Sequence, residues 1–231
     1  LVGLGGSATV DGGAGAVTAL GFRPLVADGS GLRVGGHDLA GVRRIMSGWE
    51  ADWSGIRVDL LADVTTTLPE AAATFGPQKG ANPEGIARLD AGLRAWADAV
   101  EEAFGRPGLR NEPGSGAAGG LAFGLSASIG GRILPGAATV ADLVGLSAAI
   151  NEADLVITGE GRLDATSSHG KVVGEVLQRA RDAEVEVGAV CGQVLDRLSG
   201  LADVEAASPD GPGPDPVGDV AAAAERLAQR I

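Results

Sequence analysis

The sequence is poor in cysteine and in aromatic residues. Cys191 is the only cysteine of the 231 residues, which excludes an intramolecular disulfide and a cysteine-cluster metal site and is typical of a reducing cytoplasm. Four Phe, three Trp and no Tyr leave few large rings for a core. No apolar run reaches the roughly 20 residues that a membrane-spanning helix needs. We therefore expect a globular cytoplasmic protein whose core is built from small aliphatic side chains.

Positive charge is also scarce. Lysine and arginine together number 18 against 30 acidic residues, a formal net charge of −12, which argues against nucleic acid and anionic membranes as partners. Only Lys79 and Lys171 are lysines, whereas every other basic side chain is arginine. A chain that uses arginine for generic positive charge keeps lysine where a compact ammonium is required. Both lysines are therefore candidate functional residues.

Glycine, by contrast, is abundant, and a first glycine-rich segment (GLGGSATVDGG) follows a predicted strand at the start of the chain. With Asp28 further on, it matches the G-x-G-x-x-A fingerprint of dinucleotide-binding folds. However, Gly12 and Gly13 would interrupt the helix that such a fold begins there. Exposed backbone amides beside a serine hydroxyl suit phosphate or carboxylate equally well, and a close-packed turn is the structural alternative. The candidate contacts are Gly5, Gly6, Ser7 and Asp11.

Two further segments follow. Asp63 comes after a strand predicted over Ile56–Leu61, the position at which α/β proteins hold ligands, and the motif FGPQKGA with Lys79 comes next. The segment GSGAAGG, with candidate contacts Ser115 and Gly116, opens a predicted helix. Its small residues have a structural alternative, which is to let two helices touch.

The segment TGEGRLDATSSHGK concentrates charge most strongly. Glu160, Arg162 and Asp164 occupy a loop after a predicted strand, and Lys171 lies at the start of a predicted helix. Helix amides, Lys171 and Arg162 can hold an anion, while either carboxylate can hold Mg²⁺ or accept a proton. Phosphoryl transfer needs that combination, although Val172 after Lys171 rules out a Walker A motif. An exposed loop with a local ion pair is the alternative.

Two helices are predicted from capping residues. Asn82 caps the first, Pro83 suits its first turn, and an apolar stripe with spacings of three and four residues runs to Gly105. The second is predicted to start at Thr139, with Asp142 completing a capping box.

The C-terminal part of the sequence has the pattern of a doubly wound α/β domain. Strands predicted over Leu155–Thr158 and Val185–Val190 flank a helix from about Gly170 to Ala183, which gives a β-α-β unit. A Pro/Gly/Asp-rich loop over 205–219 precedes a closing alanine-rich helix. We place a domain boundary near Asn151.

Taken in order, these motifs resemble the bacterial glycerate kinase family over nearly the whole chain. The resemblance is carried by GLGGSATVDGGAGAVTALG, DVT, FGPQKGA, GSGAAGGL and ITGEGRLDATSSHGKVVGEV. It implies an α/β protein of two domains, a Rossmann-like doubly wound domain and an inserted α/β domain. On this mapping residues 1–150 are the inserted domain, and residues 151–231 are the C-terminal part of the Rossmann-like domain.

The resemblance also implies a chemistry, the phosphorylation of glycerate by ATP and Mg²⁺, with the 2-hydroxyl favoured over the 3-hydroxyl. The expected partners are glycerate and ATP, and a homodimer is an allowed assembly. Two alternatives stay open, an NAD(P)-dependent oxidoreductase that uses the G-x-G-x-x-A loop and a non-catalytic remnant that binds a metabolite.

The site residues combine this resemblance with the chemistry of each segment. Asp63, Glu160, Asp164 and Lys171 are the catalytic candidates, and the three carboxylates among them are the candidate Mg²⁺ ligands. The residues expected to bind substrate or nucleotide are Gly5, Gly6, Ser7, Asp11, Lys79, Ser115, Gly116 and Arg162.

The sequence departs from the family pattern at several positions. Val10 stands where the family usually has Asn, and the loop after Asp63 is shorter than the family's DVTNPLLGP segment. The KGS loop and the acidic DGGEGT-type motif of the family's N-terminal part have no counterpart. We therefore expect the Rossmann-like domain to be only partly present.

Overall fold

The computed structural model describes residues 1–33, 35–49, 51–168 and 171–230. The chain forms two compact units, residues 1–135 and 136–231, so the division falls earlier than the boundary predicted near Asn151. The assignment of these units to an inserted and a Rossmann-like domain stays a prediction. Within the described ranges, no helix has both the length and the apolar character that crossing a membrane requires.

The first unit is built on a parallel three-stranded sheet of order β1-β4-β5, and a separate antiparallel pair joins β2 to β3. Its strands are β1 (Val2–Gly3), β2 (Arg23–Val26), β3 (Val42–Met46), β4 (Asp59–Ala62) and β5 (Arg132–Pro135). Its helices are α1 (Ala14–Ala19), α2 (Ala71–Phe75), α3 (Pro83–Phe104) and α4 (Ala117–Ile129). β4 begins three residues later than the predicted strand, and Ile56 is exposed.

Helix α3 confirms the prediction made from its caps. The Asn82 side chain accepts a hydrogen bond from the Gly85 amide, and Gly105 ends the helix with a φ of 63°. Trp96 on the apolar stripe is fully buried, and its indole N–H donates to the Gly12 carbonyl at 2.8 Å. This bond joins the helix to the first glycine-rich segment.

The first glycine-rich segment does not continue into a Rossmann helix. Gly12 and Gly13 have φ values of 64° and 78°, and α1 begins only at Ala14 and spans six residues. An antiparallel strand pair follows it, and Asp28 is exposed, with its carboxylate accepting from the Ser30 amide. The dinucleotide-binding interpretation of this segment is therefore not supported by the local fold.

Close packing explains most of the glycines in GSGAAGG. A Cβ on Gly119 would lie 2.1 Å from the Thr9 carbonyl oxygen, and one on Gly120 would lie 2.6 Å from the Gly12 Cα. The Gly12 amide donates to the Gly119 carbonyl at 2.9 Å. The two glycine-rich segments thus meet backbone to backbone, as the packing alternative predicted.

The second unit confirms the predicted β-α-β arrangement. Its parallel sheet has the order β10-β8-β6, and α7 connects β6 to β8. Its strands are β6 (Leu155–Thr158), β7 (Arg162–Leu163), β8 (Glu186–Cys191), β9 (Gln193–Val194) and β10 (Asp203–Ala206). Its helices are α5 (Gly136–Leu143), α6 (Leu146–Asn151), α7 (Val172–Asp182) and α8 (Pro216–Ala228). Gly170, the predicted start of α7, lies outside the described residues.

The helix predicted to begin at Thr139 is wrong in its start and its continuity. α5 begins at Gly136, and Gly145 with a φ of 71° separates it from α6. Asp142 does not cap a helix but accepts a 2.7 Å hydrogen bond from Arg179 on α7. The predicted loop over 205–219 is also shorter, because β10 runs to Ala206 and the alanine-rich helix starts at Pro216.

Candidate active site

A cavity of about 470 Å³ lies in the first unit, beyond the carboxyl ends of β1 and β4. It collects residues that the sequence placed in four separate motifs: the first glycine-rich segment, the DVT segment, the FGPQKGA segment and the GSGAAGG segment. The lining residues are Leu4, Gly5, Gly6, Ser7, Asp63, Val64, Phe75, Gln78, Lys79, Ala118 and Gly119. The ends of parallel strands are where α/β folds hold ligands, so we treat this cavity as the candidate active site.

Lys79 is the cationic group of the cavity, and its position is fixed by two hydrogen bonds. Its ammonium donates to the Ser7 hydroxyl at 2.7 Å and to the Thr9 carbonyl at 2.7 Å. The ammonium also stands 5.7 Å from the centre of the Phe75 ring. A lysine has three N–H donors, so one donor is left for a ligand after these two bonds.

The surroundings of Lys79 favour the release of its proton. Partial burial lowers the pKa of the Lys79 ammonium, and the nearby Asp11 carboxylate opposes that shift. A partly desolvated ammonium interacts more strongly with a bound anion than a fully hydrated one, because less water screens the attraction. The cavity therefore combines a held cation with reduced screening.

Asp63 is the acidic group of the same cavity. It directly follows the end of β4 and is exposed to the cavity solvent. A carboxylate in this position can accept a proton from a substrate hydroxyl or ligate a divalent cation. The fold places Asp63 and Lys79 on the lining of one cavity, whereas their roles stay predictions.

Asp11 has a structural role that the sequence analysis did not anticipate. The side chain is buried, and its two oxygens accept hydrogen bonds from the Gly13 and Gly15 amides, both at 3.0 Å. It therefore stabilises the start of α1 and does not line the cavity. A direct contact of Asp11 with substrate stays a prediction.

Ser115 and Gly116 are likewise used inside the fold. The buried Ser115 hydroxyl donates to the Arg110 carbonyl at 2.8 Å and accepts from the Leu68 amide at 2.9 Å. A Cβ on Gly116 would lie 2.3 Å from the Thr67 carbonyl oxygen. Neither residue lines the cavity, so their predicted binding role has no geometric support in the first unit.

The charged loop after β6 forms a second cluster, in the second unit. One carboxylate oxygen of Glu160 is buried and has no hydrogen-bond partner among the described residues. Burial raises the pKa of the neighbouring Cys191 thiol, and the Glu160 carboxylate adds to that rise. The Arg162 Nε on β7 lies 3.4 Å from the Asp164 Oδ2, which makes an ion pair. This loop therefore contains the local ion pair that was the alternative to a ligand site. The ion pair is also compatible with a bound ligand.

Lys171 occupies the cap position immediately before α7, one residue outside the first turn in which it was expected. Its carbonyl accepts the Glu175 amide at 3.0 Å. The start of a helix presents unpaired amides that favour anions, so the position remains suited to a phosphate or carboxylate.

The described residues offer Mg²⁺ few protein ligands. In the described part of the chain, no three His, Cys, Asp or Glu side chains stand close enough to form a metal site on their own. Mg²⁺ in kinases is held by one or two carboxylates together with substrate phosphates. Within the first unit, Asp63 could serve as such a carboxylate, and within the second unit Glu160 or Asp164 could do so separately.

The sequence analysis did not name Leu4, Val64, Phe75 or Gln78 as site residues, and it also missed Ala118 and Gly119. Both belong to GSGAAGG, the segment from which Ser115 and Gly116 were chosen instead. Ala118 and Gly119 contribute backbone amide groups, which a pattern of residue types cannot identify. The motif itself was the available signal.

The chain is similar to known proteins over most of its length. The model of the glycerate kinase family matches residues 1–231. A glycerate kinase of Bacillus subtilis (strain 168) is 38% identical over 198 residues, and a glycerate 2-kinase of Escherichia coli (strain K12) is 37% identical over 200 residues. These alignments cover 84% and 85% of the chain and 52% of each relative, so the chain spans about half the length of the relatives it matches.

The chain is also similar to a solved structure. The crystal structure assigned as glycerate kinase 2 from Salmonella typhimurium LT2 superposes with a TM-score of 0.75 at 34% identity. The match covers 99% of this chain and 64% of the other.

Proposed function

Since the chain belongs to the glycerate kinase family, we propose that its protein transfers the γ-phosphoryl group of ATP to a hydroxyl of glycerate. The observation that carries the proposal is the cavity in which Lys79, held by Ser7 and Thr9, shares the lining with Asp63. A small hydroxy acid offers a carboxylate for the ammonium and a hydroxyl for a base. The 2-hydroxyl is the proposed acceptor, in keeping with the glycerate 2-kinase among the relatives.

In this mechanism Lys79 binds the negative charge of the substrate and fixes its orientation. Asp63 accepts the hydroxyl proton as the hydroxyl oxygen forms its bond to the γ-phosphorus. The bond from that phosphorus to the β,γ-bridging oxygen breaks, and ADP leaves with the electron pair. Positioning and charge stabilisation account for most of the rate in phosphoryl transfer, which fits a site with one cation and one carboxylate.

Mg²⁺ is the proposed metal, with Asp63, Glu160 and Asp164 as its candidate ligands. When bound, it would neutralise charge on the transferred phosphate. Lys171 and Arg162 are proposed phosphate or carboxylate ligands in the second unit. The homodimer and the cytoplasmic location remain predictions.

The test is a coupled assay of ADP release by the full-length gene product with D-glycerate, ATP and Mg²⁺. The proposal predicts glycerate-dependent ADP release and a single new phosphomonoester resonance in phosphorus NMR, that of 2-phosphoglycerate. A 3-phosphoglycerate product would correct the acceptor and keep the kinase. ADP release that does not depend on glycerate would overturn the proposal, and glycerate binding without turnover would favour the metabolite-binding remnant.

A further inference from the structure

The cavity lining includes Ala118 and Gly119, which belong to a turn of left-handed backbone over residues 118–120. Ala118, Gly119 and Gly120 have φ values of 54°, 70° and 91°. Three consecutive residues in this region are unusual, because each L residue with a Cβ loses free energy there. Glycine at 119 and 120 is required by the close approach to residues 9–12. Ala118 carries a methyl group in the left-handed region, and it lines the cavity.

The same turn leaves backbone donors unused. Among the residues that the structure describes, the N–H groups of Ala118 and Gly119 have no hydrogen-bond acceptor, although the Gly119 carbonyl accepts from Gly12. Elsewhere on the cavity lining, the N–H groups of Gly5, Gly6 and Ser7 also have none within the described ranges. Gly119 is buried, Ala118 and Ser7 are half-buried, and Gly5 and Gly6 are exposed. Buried backbone N–H groups are normally paired, so the Gly119 donor in particular calls for a ligand or ordered water.

The charges on the cavity lining indicate the chemical class of the ligand. Lys79 and Asp63 are the only ionisable side chains among the lining residues described, and their formal charges cancel. The unused amides add partial positive charge, and successive N–H groups in such turns form concavities that bind anions. Near the Lys79 ammonium, the field therefore favours a group with several acceptor oxygens.

We propose that the turn over residues 118–120 is an anion-binding element, in which the Ala118 and Gly119 amides act with the Lys79 ammonium to hold a carboxylate or phosphoryl group. The left-handed conformation of Ala118 is then retained because it aims these two donors into the cavity. The proposal deepens the proposed function and rests on it for the identity of the anion, either the carboxylate of glycerate or a phosphate of ATP. Binding of the anion itself does not require turnover.

The test is NMR of the uniformly ¹⁵N-labelled chain, titrated with D-glycerate, inorganic phosphate and glycerol at constant ionic strength. The Ala118 and Gly119 amide protons should move downfield and saturate with at least one anion, and glycerol should leave them in place. If glycerate binds about tenfold more tightly than phosphate, the anion is a carboxylate, and the reverse order identifies a phosphoryl group.

A matched pair of variants separates the cavity from the general charge of the protein. Lys79→Met should weaken anion binding by about tenfold or more. Arg44→Met removes the same charge from an exposed position on β3 outside the cavity lining, and should leave the affinity within about twofold.

Two results would overturn the proposal: neither anion moves the two amides of the unsubstituted chain, or glycerol moves them as much as the anions do. Both results are measured on the unsubstituted chain, so they would overturn the proposal even if Lys79→Met failed to fold. Kinase activity without the shifts refutes only the anion-binding turn, whereas saturable shifts without glycerate-dependent ADP release refute only the kinase.

Discussion

At the scale of single residues, the two lysines differ in what surrounds them. Lys79 has defined partners in a cavity, whereas Lys171 stands at the cap of α7 in the charged segment of the second unit. Their rarity in an arginine-rich chain singled out both, and the fold supplies a geometric reason for Lys79. The amides of Ala118 and Gly119 could not be singled out in this way, because every residue except proline has such a group.

Substitution of Lys171 tests the contribution of the second unit. If its ammonium contacts a phosphate as a point charge, Lys171→Ala should lower kcat/KM by about 100-fold, or about 3 kcal/mol. Lys171→Arg should restore activity only in part, because a planar guanidinium places the charge differently. Steady-state kinetics on the full-length protein measure both effects. Arg181→Ala, exposed at the far end of α7, is the matched control, and full activity in Lys171→Ala would leave this lysine as a surface residue.

At the scale of elements, capping residues predicted a helix correctly where its ends are fixed by residues close in the sequence. Helix α3 was recognised from Asn82, Pro83 and Gly105, and each of them acts as expected. The start predicted at Thr139 failed because Asp142 is used by Arg179, which lies 37 residues away in the sequence. That interaction is tertiary, and no capping pattern contains it.

The pairing of β4 with β5 depends on a buried carboxylate. Asp59 on β4 accepts hydrogen bonds from Arg132 on β5 at 2.6 and 3.0 Å and from Arg57 at 2.8 Å. These bonds, chiefly those from Arg132, hold the pKa of Asp59 below its ordinary value. A lowered pKa in the folded state stabilises the protein above the unfolded-state pKa of about 3.9, and this contribution is lost as the pH falls through the folded-state pKa.

Asp59→Asn should therefore lower the free energy of unfolding at pH 7, and the difference from the unsubstituted protein should shrink below about pH 4. Urea unfolding at pH 7, 5 and 3 measures this dependence. Asp90→Asn, which removes a more exposed carboxylate paired with Arg94 on α3, should have a much smaller effect. A difference that stays constant between pH 7 and pH 3 would rule out the ion pair as its cause.

At the scale of the whole molecule, the α/β class was predictable from the sequence, and the assignment of its domains stays a prediction. Both units contain a parallel three-stranded sheet, and the β-α-β unit around α7 lies where the alternating pattern predicted it. The compact units divide at residues 135 and 136, because β5 pairs with β4 over a long sequence separation. Such a pairing leaves no change of composition at the boundary.

The residues of the candidate site are also brought together by strand pairing. The order of parallel strands brings the DVT segment next to the first glycine-rich segment, since β1 and β4 are neighbours. The motifs named Gly5, Gly6, Ser7, Asp63 and Lys79 as candidates, while their relative positions depend on sheet topology. The family resemblance supplied the reaction, and the cavity around Lys79 supplies the place in which we propose that it occurs.

The most direct test of this account is kcat/KM for D-glycerate in the full-length protein carrying Lys79→Met, measured beside Arg44→Met. Both substitutions remove one positive charge, and circular dichroism establishes that each variant is folded. The account predicts a loss of about 100-fold or more for Lys79→Met, because the charge that holds the substrate is gone, and a change within about twofold for Arg44→Met. Equal kcat/KM values in a folded Lys79→Met variant and the unsubstituted protein would contradict the assignment of this cavity as the active site.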